Sequence, residues 1–256
     1  MSDVLLRAEG LHKRFGGVHA VRGISFGVPA ASVFAIIGPN GAGKSTMLNL
    51  LSGVHRVDEG QLSFDGAEMA GLPAYRRARL GIARTFQKIR LFKQLSVLEN
   101  VLAGFHMRHR IPALQYVLHG ASFRADMRRC REEALALLDF VCLLPRAGTL
   151  AGVLSYGEQR LLEIARALAT RPKLLMVDEP AAGLNGSEVE LLLQRLDELR
   201  RRGMAIILIE HNMELVTRIA DQVMVMHYGQ HLFTGSPAAM QADPGVIKAY
   251  LGGELT

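Results

Sequence analysis

Gly38-Pro39-Asn40-Gly41-Ala42-Gly43-Lys44-Ser45-Thr46 satisfies every fixed position of the pattern G-x-x-x-x-G-K-[ST]. The apolar run Val33-Phe34-Ala35-Ile36-Ile37 precedes it and reads as a buried strand, and Met47-Leu48-Asn49-Leu50-Leu51 follows with helix-forming side chains. Strand, glycine loop and helix together form the context in which such a loop cradles polyphosphate. Its glycines let the backbone turn tightly, so that consecutive N–H groups and the following helix N-terminus face an anion. Gly38, Asn40, Gly41, Ala42, Gly43, Lys44, Ser45 and Thr46 are therefore the candidate nucleotide-binding residues. Lys44 supplies a mobile positive charge for the terminal phosphates, the Ser45 hydroxyl is suited to Mg2+, and Thr46 to a phosphate oxygen.

Around this loop the chain alternates strands and helices. Residues 4–28 read as an antiparallel pair turning at Gly16-Gly17, and Gly60–Gly66 as a short strand and turn before a helix at Pro73–Leu80. The basic cluster Arg76-Arg77-Ala78-Arg79 reads as a solvated helix face. Gly81–Gln87 is predicted to be a strand ending on a polar residue. From Lys88 to about Gly152 the pattern turns helical, with an arginine-rich middle from His106 to Arg131 expected to be a connector and the start of a helix.

The strand–helix alternation resumes with a predicted helix over Arg160–Thr170, stopped by Pro172. The buried strand Leu174–Val177 follows and ends in Asp178-Glu179. Next come a helix over Glu188–Arg202 with the i,i+4 pairs Asp197/Arg201 and Glu198/Arg202, a buried strand Ala205–Ile209, a strand Gln222–His227 and a polar tail containing Asp243-Pro244-Gly245. This order predicts a doubly wound α/β core, residues 1–87 and 153–256, interrupted by a helical subdomain over 88–152.

Composition narrows the class. The 256 residues are 49% hydrophobic and 21% charged, as in a globular protein with a substantial core. A mean hydropathy of +0.17 leaves room for apolar surface against partners. No apolar run approaches the roughly 18 residues of a membrane span, and the first residues lack the pattern of a secretory leader. Cys130 and Cys142, without a CxxC or a histidine cluster, read as free thiols. The net charge of +6 permits nucleic acid or an anionic membrane as a neighbour.

Phosphoryl transfer needs held phosphates, a fixed metal, an aimed water and absorbed charge. Asp178 at a strand end suits the metal shell beside Ser45, and Glu179 next to it suits a general base for water. Gln87 and His211, each at a predicted strand end, could meet the water, metal or terminal phosphate. Phe15, 23 residues before Gly38, is equally readable as core or as an aromatic platform for adenine.

The ordered set Gly38–Thr46, Gln87, Leu154-Ser155-Tyr156-Gly157-Glu158-Gln159, Leu174–Glu179, Ala182-Gly183-Leu184-Asn185 and His211 closely resembles the ATP-binding subunits of ABC transporters. The resemblance spans nearly the whole chain. It implies a P-loop NTPase fold with a RecA-like core, an N-terminal antiparallel β subdomain and an inserted α-helical subdomain. It implies ATP and Mg2+ as ligands, with Phe15 on the adenine and Lys44, Gln87, Glu179 and His211 as the catalytic set. It implies head-to-tail pairing, in which Ser155 and Gly157 of a second copy, or of a paralogue, meet the ATP held by Lys44 and Ser45. Ser45, Gln87 and Asp178 would hold the metal. Departures from the commoner pattern are Tyr156 and Glu158 in the signature, Asn185 in the D-loop, which bears on coupling between the two sites, and Asn212 after the histidine.

Within that family, Arg14-Phe15-Gly16-Gly17, Arg84-Thr85-Phe86-Gln87, Leu91-Phe92, Ser122-Phe123-Arg124, Glu179–Asn185 and the ending Val246–Gly252 are similar to the larger ATPase subunit of branched-chain amino-acid importers, whose relatives also handle urea and amides. The implied partners are two membrane permeases, a second ATPase subunit and, indirectly, a periplasmic solute-binding protein. The implied location is the cytoplasmic face of the bacterial inner membrane. Two alternatives stand beside this reading: a lipopolysaccharide-export ATPase, with a similar signature, and a soluble ABC protein on nucleic acid or ribosomes. The chain has neither the second cassette nor the long coiled coil usual in the last class, so no nucleic-acid partner is expected.

Overall fold

The computed structural model describes residues 4–105 and 121–250, with the side chains of 121–123 left aside. Arg108, Arg110, the Ser122 and Phe123 side chains, and the Leu251-Gly252 ending lie outside the described residues. The chain forms two compact units, Met1–Arg84 with Lys173–Pro180 and Leu196–Thr256, and Thr85–Pro172 with Ala181–Arg195. The limits 88–152 drawn from sequence for the helical part fall inside the second unit.

The first unit holds two sheets. β1 (Val4–Phe15) and β2 (Val18–Pro29) pair antiparallel around the predicted turn, and β4 (Glu59–Phe64) and β5 (Ala67–Glu68) complete a sheet of order β2-β1-β4-β5. The second sheet runs β10-β9-β3-β8-β7-β6, built from β3 (Val33–Ile37), β6 (Ile82–Arg84), β7 (Leu174–Asp178), β8 (Ala205–Ile209), β9 (Gln222–His227) and β10 (Gln230–Gly235). Five of its strands are parallel; only β10 runs antiparallel, on β9.

Strand periodicity of two sorts the side chains of this sheet. Phe34, Ile36, Met176, Ile207 and Met224 share one face with Met47, Leu48, Leu50 and Leu51 of α1 (Lys44–Ser52) and with the inner face of the antiparallel sheet. Ala35, Ile37, Val223 and Val225 face the other way, against Val216 of α7 (Met213–Ile219), Met240 of α8 (Pro237–Ala242) and Val246 of α9 (Pro244–Tyr250). Burial on both faces explains why β3, β7 and β8 are apolar runs without alternation.

Two readings of this unit need correction. The region after Gly229 is no polar tail: β10, α8 and α9 are ordered, because Met240 and Val246 insert into the sheet's second face. Arg77 is not on a solvated face either. In α2 (Ala74–Leu80) its side chain is buried and its guanidinium donates to the carbonyls of Leu72 (2.8 Å), Leu50 (2.5 Å), Leu51 (3.0 Å) and Ala70 (3.0 Å). Leu50 and Leu51 belong to the last turn of α1, whose carbonyls have no partner within the helix, so a cation there answers both the open acceptors and the helix dipole.

The second unit contains α3 (Val97–Phe105), α4 (Ala121–Phe140), α5 (Tyr156–Leu168) and the start of α6 (Gly186–Arg201). Val101, Ala134, Leu138, Val141, Leu162 and Ala165 lie in its core. Reciprocal caps open three of its helices: Ser96 with Glu99, Ser155 with Glu158, and Asn185 with Glu188. The Ser155 cap starts α5 four residues before the predicted Arg160.

Candidate functional site

The phosphate loop, residues 38–43, joins the C-terminal end of β3 to α1. Two of its glycines are required by close backbone approach. Gly38 has φ 150°, and a Cβ there would run into the Met226 carbonyl; Gly43 has φ 98°, and its Cβ would stand 2.5 Å from the Ala20 carbonyl oxygen. Gly43 is also the N-cap of α1 and offers no side chain to the first-turn amides, which are left to an anion. Hydrogen bonds from Gly229 N–H to the Ala42 carbonyl (3.1 Å) and from Ala42 N–H to the Pro39 carbonyl (3.2 Å) brace the loop. Gly41 and Asn40 are exposed on it, Ser45 is exposed in the first turn of α1, and Thr46 follows half-buried.

The Lys44 ammonium donates to the Gly38 (2.7 Å) and Pro39 (3.0 Å) carbonyls. Burial pushes its pKa down, opposed by the nearby charges of Glu179 and Asp178. Lys44, Asp178 and Glu179 thus share one electrostatic environment, a cation after β3 and two carboxylates at the end of β7, with β8 between the two strands. Asp178 is the last residue of β7, and its Oδ2 accepts from Arg84 Nη2 at 3.1 Å.

Glu179 takes a left-handed backbone with φ 45°, uncommon for a residue other than glycine, while its N–H donates to the Ile209 carbonyl at 2.9 Å. His211 stands two residues beyond β8, with Nδ1 3.9 Å from Glu179 Oε1 and 4.0 Å from Oε2 of Glu210. Glu210, buried and given no role by the sequence reading, directly follows the apolar strand β8, as Glu179 follows β7, which was the available signal. Asn212 caps α7 by accepting from Leu215 N–H at 3.2 Å.

Phe15, the last residue of β1, is 43% exposed, with His55 edge-on at 5.1 Å and Lys13 Nζ 5.3 Å from the ring centre. An aromatic ring standing out at a strand end is an available platform rather than part of the core.

Gln87 and the signature belong to the second unit. β6 ends at Arg84, so Gln87 is not the strand end that the sequence predicts but lies three residues beyond it. Buried Arg160 donates to the carbonyls of Phe86 (2.7 Å) and Gln87 (2.5 Å) and to the Tyr156 hydroxyl (2.9 Å). Glu163 accepts from Phe86 N–H (3.3 Å) and Arg90 N–H (3.4 Å). Its pKa is raised by burial, against the pull of Arg160 and of those two amides. Ser155 caps α5, and the Glu188 carboxylate occupies the space that a Cβ on Gly157 would take, so a side chain there would have to displace it. Tyr156 lies against Gly183, where a Cβ would come 3.2 Å from its ring.

Ser45 in the first turn of α1 and Asp178 at the end of β7, elements that Arg84 joins, are hard oxygen donors of the kind that fits a divalent cation such as Mg2+, which takes few protein ligands and completes its shell with water and phosphate. Among the described residues no group of three or more His, Cys, Asp or Glu could hold a metal, so no all-protein cage is present there. Cys130 and Cys142 form no disulfide with one another.

A glycine loop between a buried parallel strand and an uncapped helix, flanked by a strand ending Asp-Glu, defines a P-loop NTPase. The chain belongs to the ABC transporter family, whose model matches residues 21–182. A second model, described as branched-chain amino acid ATP-binding cassette transporter, matches residues 230–256. The chain is 43% identical over 253 residues to the high-affinity branched-chain amino acid transport ATP-binding protein BraF of Pseudomonas aeruginosa, covering 98% of this chain and 99% of the relative. It is 40% identical, over the same length and coverage, to the protein LivG of Escherichia coli. A solved ATP-binding cassette of an ABC transporter in its ADP conformation superposes with TM-score 0.84 at 32% identity, over 97% of this chain and 99% of that one.

Proposed function

We propose that this chain is the ATP-hydrolysing subunit of an ABC importer, energising uptake of branched-chain amino acids or a closely related small solute. The observation that carries the reading is the meeting of Lys44, Asp178, Glu179 and His211 at the ends of β3, β7 and β8, beside an uncapped helix N-terminus. The solute class follows from the full-length likeness to BraF and LivG and from the C-terminal match over 230–256.

In this reading the loop amides and Lys44 hold the phosphates, and Phe15 stacks on the adenine. Ser45 and Asp178, with Gln87, would hold Mg2+, which would supply charge neutralisation at the phosphates. Glu179 takes a proton from the attacking water, and His211, whose Nδ1 stands 3.9 Å from that carboxylate, contacts the terminal phosphate. A carboxylate held by a left-handed backbone has its direction set by main chain as well as by rotamer. Ser155 and Gly157 of a second cassette face the same phosphates from the start of α5.

Among the described residues no helix is long and apolar enough to cross a membrane, so passage of solute falls to other subunits. The partners are two membrane-spanning permeases, a second ATPase subunit and, indirectly, a periplasmic solute-binding protein, and the working place is the cytoplasmic face of the inner membrane. Affinity purification from gently solubilised membranes, with mass spectrometry of the stoichiometric partners, tests this. Two permeases and a smaller ATPase support it; lipid-export subunits or ribosomal proteins would replace it.

A further inference from the structure

We propose that Arg84 is a positioning residue for the metal-holding pair Ser45 and Asp178, an inference that rests on the ATPase reading above. Arg84 ends β6, which pairs parallel with β7 in the register Arg84↔Met176. Paired residues of parallel neighbours point to the same side, and Asp178 is two residues beyond Met176, so Arg84, Met176 and Asp178 share one face. Met176 lies in the core cluster with Met47, Leu48, Leu50 and Leu51, which makes that face the one covered by α1.

Helix α1 is apolar towards the core but carries one polar row, Ser45, Asn49 and Ser52, spaced i, i+4 and i+7. Arg84 meets this row: Nη1 donates to Asn49 Oδ1 at 2.6 Å and to Ser52 Oγ at 3.0 Å, while Nη2 donates to Asp178 Oδ2 at 3.1 Å. Both charged side chains are buried, 9% and 7% exposed. One planar guanidinium therefore ties the helix that begins with Ser45 to the strand end that carries Asp178. Its rigid fork fixes both the rotation of the carboxylate and the separation of the two elements.

Groups that orient a metal-holding carboxylate commonly govern metal affinity, and their loss costs roughly 10–100-fold. The test is equilibrium binding of a fluorescent ATP analogue, with Mg2+ titrated and again in EDTA, on the full chain with its melting curve recorded. Arg84→Met is expected to raise the half-saturating Mg2+ concentration about tenfold or more, with affinity in EDTA within about twofold of wild type. Arg84→Lys, which keeps charge without the fork, should recover part of the shift. Asn49→Ala/Ser52→Ala keeps the ion pair but frees it from α1, and should shift Mg2+ in the same direction; it decides the matter if Arg84→Met does not fold. An unchanged Mg2+ midpoint in the variant that folds, or equal weakening with and without Mg2+, would overturn the role of Arg84 alone. Wild-type protein with no Mg2+-dependent nucleotide binding would overturn the ATPase reading and this inference together.

Discussion

Replacing Arg77 by Met should cost far more stability than any change on an exposed helix face. The guanidinium is 1% exposed and donates to four carbonyls, those of Leu50, Leu51, Ala70 and Leu72. At about 1 kcal/mol net per hydrogen bond the loss is about 4 kcal/mol. Removing a buried charge returns part of its desolvation cost, and burial here already pushes the Arg77 pKa down to about 10. Met fills much of the same volume, so the net cost is about 2–4 kcal/mol. At roughly 2–4 °C per kcal/mol for a chain of this size, Tm should fall by about 4–16 °C. Arg77→Lys should recover little, because one ammonium cannot span four acceptors set around a fork. Circular-dichroism melting of the three proteins reads this out. A Tm for Arg77→Met within about 1 °C of wild type would refute the idea that Arg77 closes the end of α1.

Three further outcomes follow from the geometry. Gly43→Ala must place a Cβ 2.5 Å from the Ala20 carbonyl at φ 98°, so the loop must move; strain of about 1–3 kcal/mol is expected, and nucleotide binding should fall at least about tenfold, measured by calorimetry. Glu163 has a folded pKa raised by burial, so the native state holds its proton to higher pH than the unfolded chain; stability should decline as pH rises from the ordinary carboxylate value of 4.5 through the raised one. Glu163→Gln should flatten that stretch of a Tm-against-pH plot, and an unchanged slope would count against the assignment. Phe15→Ala should raise the KM for ATP, by about 5–10-fold for a stacking contact of about 1 kcal/mol, with kcat nearly unchanged; a fall in kcat alone would remove Phe15 from adenine binding.

What the sequence made legible was chemistry carried by contiguous residues. The phosphate loop, the Asp178-Glu179 strand end and the apolar runs of β3, β7 and β8 announce themselves because spacing and burial are local properties there. The capping pairs Ser155/Glu158 and Asn185/Glu188 were equally local, and reading them would have set the starts of α5 and α6 correctly. Asn185, which departs from the commoner Asp, caps α6 through an oxygen that either residue would offer. Arg77 and Arg84 were beyond local reading. One arginine in a basic cluster is buried by carbonyls some 26 residues away, and the other by a carboxylate 94 residues away, and only the sheet and helix together create those partners. The C-terminal region was misread because its apolar residues are sparse, although Met240 and Val246 each find a place against the sheet.

The most direct measurement of the central claim is uptake of labelled leucine, isoleucine and valine into proteoliposomes holding the complex purified through this chain, with ATP supplied on the face that this subunit occupies. Wild-type complex should accumulate at least one of the three only when ATP is present, and Glu179→Gln should abolish both hydrolysis and accumulation while leaving ATP binding intact. Uptake or hydrolysis undiminished by Glu179→Gln would contradict the account.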